Sequence, residues 1–144
     1  MKYWTTTPIL VLVILFFLGC SSDEESCKSA LVGRWECASV ETVVLSHIND
    51  NDLSTMAIKQ NPIYIEFYEN DACRIYGEYE LVGTYSATND GFSLNMLDNY
   101  SSFNYHYKFK IKEITSSKMV AYINCLALGV DEYYRQTFTF KKIQ

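Results

Sequence analysis

"FNYHYKFKIK", residues 103–112, decides the fold. Phe103, Tyr105, Tyr107, Phe109 and Ile111 share one parity, while Asn104, His106, Lys108, Lys110 and Lys112 share the other. Alternation over ten residues predicts a β-strand with one buried and one wet face. The three lysines protect the wet face from edge pairing. His106 lies among them and reads as a solvated side chain.

The same two-residue period extends outward from this stretch. Strands are expected at 31–45, 63–69, 73–79, 81–87, 92–98, 118–126 and 133–143. "ENDA", 69–72, is a tight turn, and "NDG", 89–91, is a hairpin signal. One connection is too long for a hairpin: "SHINDNDLSTMAIKQN", 46–61. There Asp50 or Asp52 can cap a short helix carrying Leu53, Met56 and Ile58, placed to close one end of a barrel. The "NDND" within it, 49–52, lacks the Gly and distal Glu of a calcium loop. The expectation is an all-β fold: an eight-stranded antiparallel up-and-down barrel with one short helix after the first strand. Closure removes exposed edges. A barrel of eight strands has room for packed side chains or one small ligand.

The N-terminal segment is of another kind. "PILVLVILFFL", 8–18, is an apolar run of 11 residues, shorter than the roughly 20 needed to span a bilayer. With Lys2 before it and Gly19 after it, residues 1–19 read as a secretory signal peptide. "FLGC", 17–20, resembles a bacterial lipobox, with Phe17 in place of the usual Leu. That resemblance implies cleavage before Cys20 and acylation of its thiol and amine, palmitate included. Two or more acyl chains make a stable anchor. "SSDEE", 21–25, resembles the acidic export tag of surface lipoproteins in the Bacteroidetes group. Residues 20–30 are thus expected to be a lipidated acidic linker, disordered over 21–29, and 31–144 the barrel. The chain carries 12 basic and 17 acidic residues; loss of Lys2 leaves 11 against 17, a net charge of about −6. No basic stripe invites nucleic acid.

Gly33-Arg34-Trp35 resembles the G-x-W that opens the lipocalin barrel. Downstream, Phe67, Asn70-Asp71, Gly83-Thr84-Tyr85 and Phe92 with Leu94 follow the order seen in bacterial lipocalin-like domains. The resemblance covers residues 31 to 142. It implies an antiparallel barrel and binding of small apolar molecules. Lipocalins place an Arg over the G-x-W tryptophan from the end of the last strand. Arg135 comes too early for that role, whereas Lys142 lies at the correct end to cover Trp35 as a cation over a ring. Inward-facing candidates to line a ligand are Trp35, Phe67, Tyr85, Phe103, Tyr105, Tyr107, Phe109, Phe138 and Phe140.

Four cysteines remain after Cys20, and they allow three pairings. Cys37 and Cys73 fall two strands apart, about 9.6 Å, beyond the roughly 7 Å a disulfide tolerates. Cys125 falls at the opposite end from Cys27. Cys27–Cys73 is therefore the expected bridge. No C-x-x-C suggests a metal site.

No G-x-S-x-G, H-E-x-x-H or phosphate-binding loop occurs. No catalytic residue or cofactor is expected. Two readings of function remain. One is an outer-membrane, cell-surface lipoprotein whose barrel is a structural or protein-interaction module for an envelope partner. The other is a barrel that binds a small apolar ligand. Both begin from the anchor. Cys20→Ala should move the protein from the membrane fraction to the soluble one, or leave it unprocessed. Retention of a mature-sized variant in the membrane would exclude the anchor.

Overall fold

The computed structural model describes residues 24–48, 50–55, 57–58, 63–126 and 132–144. The expected signal peptide and Cys20 lie outside the described residues. A helix α1 (Glu24–Leu31) precedes strand β1 (Gly33–Leu45). A single 3-10 turn (Asp50–Asp52) leads into β2 (Leu53–Ser54). Then follow β3 (Tyr64–Phe67), β4 (Ala72–Tyr76), β5 (Glu80–Ala87), β6 (Gly91–Leu97), β7 (Asn104–Ile114), β8 (Lys118–Leu126) and β9 (Tyr133–Ile143). Antiparallel pairing runs from β1 through β3 to β9 in chain order and returns from β9 to β1. The barrel of eight strands is closed, as the alternation predicts.

The closed end is built around the start of β1. Gly33 has φ of +128°, a conformation that favours glycine. It lets the chain turn from α1 into the strand. Trp35 is fully buried and donates its indole N–H to the Leu31 carbonyl at 2.7 Å. The Lys142 ammonium lies 5.0 Å from the Trp35 ring centroid, where the resemblance expects a cation. It also donates to the Ala30 carbonyl at 3.4 Å, near the C-terminus of α1. A cation is favourable at both places, by about 0.5–2 kcal/mol over a ring and 0.3–1 kcal/mol at a helix end.

The expected linker is corrected here. Residues 24–31 are helical, and Leu31 belongs to the core. Eight residues are too few to hold a helix alone. Docking supplies the rest: Leu31 packs under Trp35, Cys27 packs against the core, and Lys28 pairs with Asp71. Lys28 in the last turn also suits the helix dipole.

The opposite end is built differently. Direct rungs between β7 and β8 begin at Lys110↔Tyr122 and run toward the closed end. Beyond them β2 fills the wall. It pairs in parallel with β8 at Leu53↔Asn124 and Ser54↔Cys125. On its other side, the Ser54 and Thr55 hydroxyls accept the backbone N–H groups of Lys108 (2.9 Å) and His106 (2.8 Å). Lys108 donates to the Asn51 carbonyl and Lys110 pairs with Asp52, so two of the wet-face lysines hold the 3-10 turn in place. The expected helix after the first strand is thus one turn, and Leu53 lies in a strand rather than a helix. From there the chain crosses the barrel end, where inward-facing Gln136 brackets both backbone groups of Ile58 (2.9 and 3.2 Å).

β3 is short, and it reaches β1 only at residues 33–36, with one more bond from the Cys37 N–H to the Ile63 carbonyl. A bulge between Cys37 and Ser39 follows. Beyond it β1 keeps β9 as its neighbour as far as Leu45↔Tyr133.

Gly83 tests how tightly the wall is drawn. A Cβ there would lie 1.9 Å from the Asn95 carbonyl oxygen of β6, which is backbone and cannot swing aside. Gly83→Ala should therefore destabilise the domain by about 1–3 kcal/mol, seen as a lower midpoint in urea. An unchanged midpoint would show that β5 and β6 can separate at no cost.

Candidate functional site

The aromatic residues expected to line the barrel divide into two groups. Phe67, Phe109, Phe138 and Phe140, linked through Phe92, which was not among them, form a continuous set of ring contacts with centroids 4.6–5.7 Å apart. Tyr85 joins edge-on to Phe67 at 4.9 Å, and its hydroxyl donates to the Tyr68 carbonyl at 2.9 Å. All of them, and Trp35, are buried. Each ring contact adds about 0.5–1.5 kcal/mol beyond burial. These residues leave the closed half of the barrel filled with its own side chains.

Tyr105 and Tyr107 lie higher on β7 and line a cavity of about 1040 Å³ at the other end. Leu81 shares this inner wall, and Ala57 borders it from the crossing segment. The rim comes from two turns: 77–79 between β4 and β5, and 98–100 between β6 and β7. Tyr79 and Tyr100 stand on these turns, and Tyr100 is 94 % exposed. Asp98 shapes the second turn by accepting the Tyr100 N–H (2.9 Å) and the Ser101 hydroxyl (2.7 Å). Those two donors, the hydroxyl first, hold the Asp98 carboxyl below its ordinary pKa.

Phe103 departs from its expected place. It has the inward parity, but β7 begins at Asn104, and Phe103 is 50 % exposed beyond the barrel's edge. There it packs on Tyr105 with centroids 4.9 Å apart. It extends the rim instead of lining the interior. Tyr76, which no sequence pattern singled out, borders the same cavity. Its hydroxyl oxygen is buried and has no hydrogen-bond partner among the described residues. Its ring stacks on Tyr64 (5.1 Å) and lies under the Arg74 guanidinium (4.3 Å). Arg74 in turn bonds Glu66 at 2.8 Å. Burial raises the Tyr107 phenol well above its ordinary pKa, so it is un-ionised at neutral pH.

The expected bridge between Cys27 and Cys73 is corrected. No disulfide joins any of Cys27, Cys37, Cys73 and Cys125. Cys73 points into the core, with its sulfur 3.5 Å from that of Met96. Cys27 rides on α1 with its sulfur 3.9 Å from the Gly91 carbonyl on β6. The expectation treated residue 27 as part of a flexible leash free to reach Cys73, whereas the helix fixes it. Among the described residues no group of three His, Cys, Asp or Glu side chains is placed to hold a metal ion. His106, on the outer face, contacts the Asn95 side chain at 2.6 Å through Nδ1.

Comparison with family models, with curated proteins and with solved structures finds no match.

Burial pushes the Cys73 thiol up to about 12. The reactive thiolate is therefore scarce at pH 8. In the folded protein iodoacetamide should modify half-buried Cys37 before Cys73, and Cys73 should react only after denaturation. Rapid native labelling at Cys73 would contradict the packed closed half.

Proposed function

We propose that this chain is a lipoprotein of a bacterial outer membrane, surface-exposed and tethered through acylated Cys20, whose lipocalin-like barrel is a structural or protein-interaction module. The observation that carries this reading is where the tether joins. Cys20 precedes the first helical residue, Glu24, by four positions, which span at most about 14 Å. The helix lies across the closed end, where Lys28 pairs with Asp71 and Leu31 packs beneath Trp35. A short tether on that end turns it toward the membrane and the mouth away from it. The mouth then presents Tyr79, Tyr100 and Phe103, all exposed. Exposed aromatic side chains on turns suit contact with a protein partner, because they bury large areas at low entropy cost.

A second reading, a small ligand bound in the mouth, is favoured by a separate observation. The cavity of about 1040 Å³ has apolar walls at Leu81, Tyr105 and Tyr107, with the unpartnered Tyr76 hydroxyl beside it. The ligand would sit above the aromatic floor and not within it.

One pair of measurements separates the two. A photo-crosslinking residue placed at Tyr100 in the full-length protein, in intact cells, should give a discrete protein adduct. The same group at Ser116, in the exposed turn at the closed end, should not. Native mass spectrometry of protein from its own host should show a co-purifying small molecule only under the second reading, and Tyr107→Ala should then lose it. Adducts from Ser116 alone would overturn the proposed orientation.

A further inference from the structure

The cavity at the mouth is lined by tyrosine rings and carboxylates together. Tyr105 and Tyr107 lie on its inner wall, with ring planes 8° from parallel and centroids 6.2 Å apart, and Leu81 shares that wall. Tyr79 and Tyr100 stand at its rim. Among the described residues, the charged side chains that line it are Glu78, Glu80, Asp98 and Arg74. Arg74 is answered within the wall, by Glu66 at 2.8 Å and Glu80 at 3.5 Å. Glu78 and Asp98 therefore leave the described lining anionic. Asp98 stays ionised at neutral pH, since the Ser101 hydroxyl and the Tyr100 N–H hold its carboxyl below its ordinary pKa.

We propose that the mouth, read as a protein-contact surface, receives an arginine side chain of the partner; the assignment rests on that reading. Carboxylates at the opening steer a cation inward and turn an anion away. The faces of the tyrosine rings are electron-rich and attract a cation as well. Between the two basic side chains the rings select arginine. A guanidinium is planar and weakly hydrated, and it stacks on an aromatic face, whereas an ammonium keeps its water. The chain uses this pairing in its own wall. Arg135 lies 4.2 Å from the Tyr122 ring centroid, Arg74 4.3 Å from that of Tyr76, and Arg34 5.3 Å from that of Tyr64. The methylene stem of an entering arginine packs on Leu81 and the ring edges. A cavity of about 1040 Å³ exceeds one side chain, so residues flanking the arginine enter with it. A purely apolar molecule fits less well, because it would desolvate Glu78 and Asp98 with nothing in return.

The test titrates full-length protein in detergent, at low salt, with a fluorescein-labelled peptide that alternates arginine and glycine. Fluorescence anisotropy should show saturable binding. The same peptide with citrulline, a neutral isostere of arginine, should bind at least about tenfold more weakly. Glu78→Gln combined with Asp98→Asn should weaken the arginine peptide about five- to tenfold; asparagine keeps the acceptor oxygen that shapes the turn. Tyr100→Leu, in an exposed turn, should weaken it about two- to fivefold. Glu113→Gln removes an equal charge at the closed end and should change nothing. Equal binding of the citrulline peptide, equal weakening by Glu113→Gln, or no saturable binding would overturn the proposal. Crosslinking from Tyr100 in cells separates its failure from that of the reading beneath it. A protein adduct undiminished by the Glu78→Gln, Asp98→Asn pair would mean that a partner sits there without an arginine. An adduct at twice the monomer mass would mean a second copy of this chain. Arginine-peptide binding with no protein adduct would give the mouth to a small guanidinium compound and overturn the protein partner itself.

Discussion

The pairing of β1 with β9 is the constraint on which the structure depends. It joins strands about a hundred residues apart from Arg34↔Ile143 to Leu45↔Tyr133, and it turns an open sheet into a barrel. Its first rungs also bring Lys142 opposite Trp35, so one pairing sets both the closure of the wall and the cation over the indole. Once that register is set, the inward parity of the remaining strands follows. Phe138 and Phe140 turn inward to meet Phe109, and the ring contacts run on to Phe92 and Phe67. The filled half of the barrel is a consequence of closure at this diameter. Eight strands leave an interior that large side chains can fill.

The two ends of the barrel meet the same demand in different ways. Every buried backbone group needs a partner. At the closed end α1 covers the core and lends its Leu31 and Ala30 carbonyls to Trp35 and Lys142. At the other end the cover is partial. Gln136 is an inward polar side chain, and it is satisfied because the backbone of Ile58 crosses within reach. Between that crossing and the two turns the cavity is left open. The open half is thus where strands β4 to β7 extend past the crossing segment, with half-buried Tyr105 and buried Tyr107 continuing the aromatic row to the cavity.

Much of this was legible because it is periodic. The strands at 118–126 and 133–143 and the wet and buried faces of β7 follow from alternation alone. Lys142 was legible from topology: in an antiparallel closure the end of the last strand lies beside the start of the first. What escaped notice was either too short or too distant. β2 has two residues, fewer than any period can reveal. α1 opens in an acidic, serine-rich stretch, and its stability comes from docking under Trp35. Phe103 has the right parity, but parity does not say where a strand ends. The cysteine pairing failed because it assumed freedom at residue 27 that the helix removes.

The insertion of β2 has a consequence for how the wall breathes. Elsewhere the rungs of the barrel join carbonyl to amide across neighbouring strands. Between β7 and β8, above Lys110, two rungs end instead on hydroxyls, that of Ser54 in the two-residue β2 and that of Thr55 just after it. Hydroxyl groups can rotate away, and so short a strand has few bonds to lose. Local opening takes the route with the fewest buried contacts and bonds to break. The seam along β2 is therefore a place where the wall can open locally, and amide hydrogens of His106 and Lys108 would exchange there ahead of global unfolding. Tyr105 and Tyr107 alternate with these residues along β7, so local opening of this seam would lie beside the mouth.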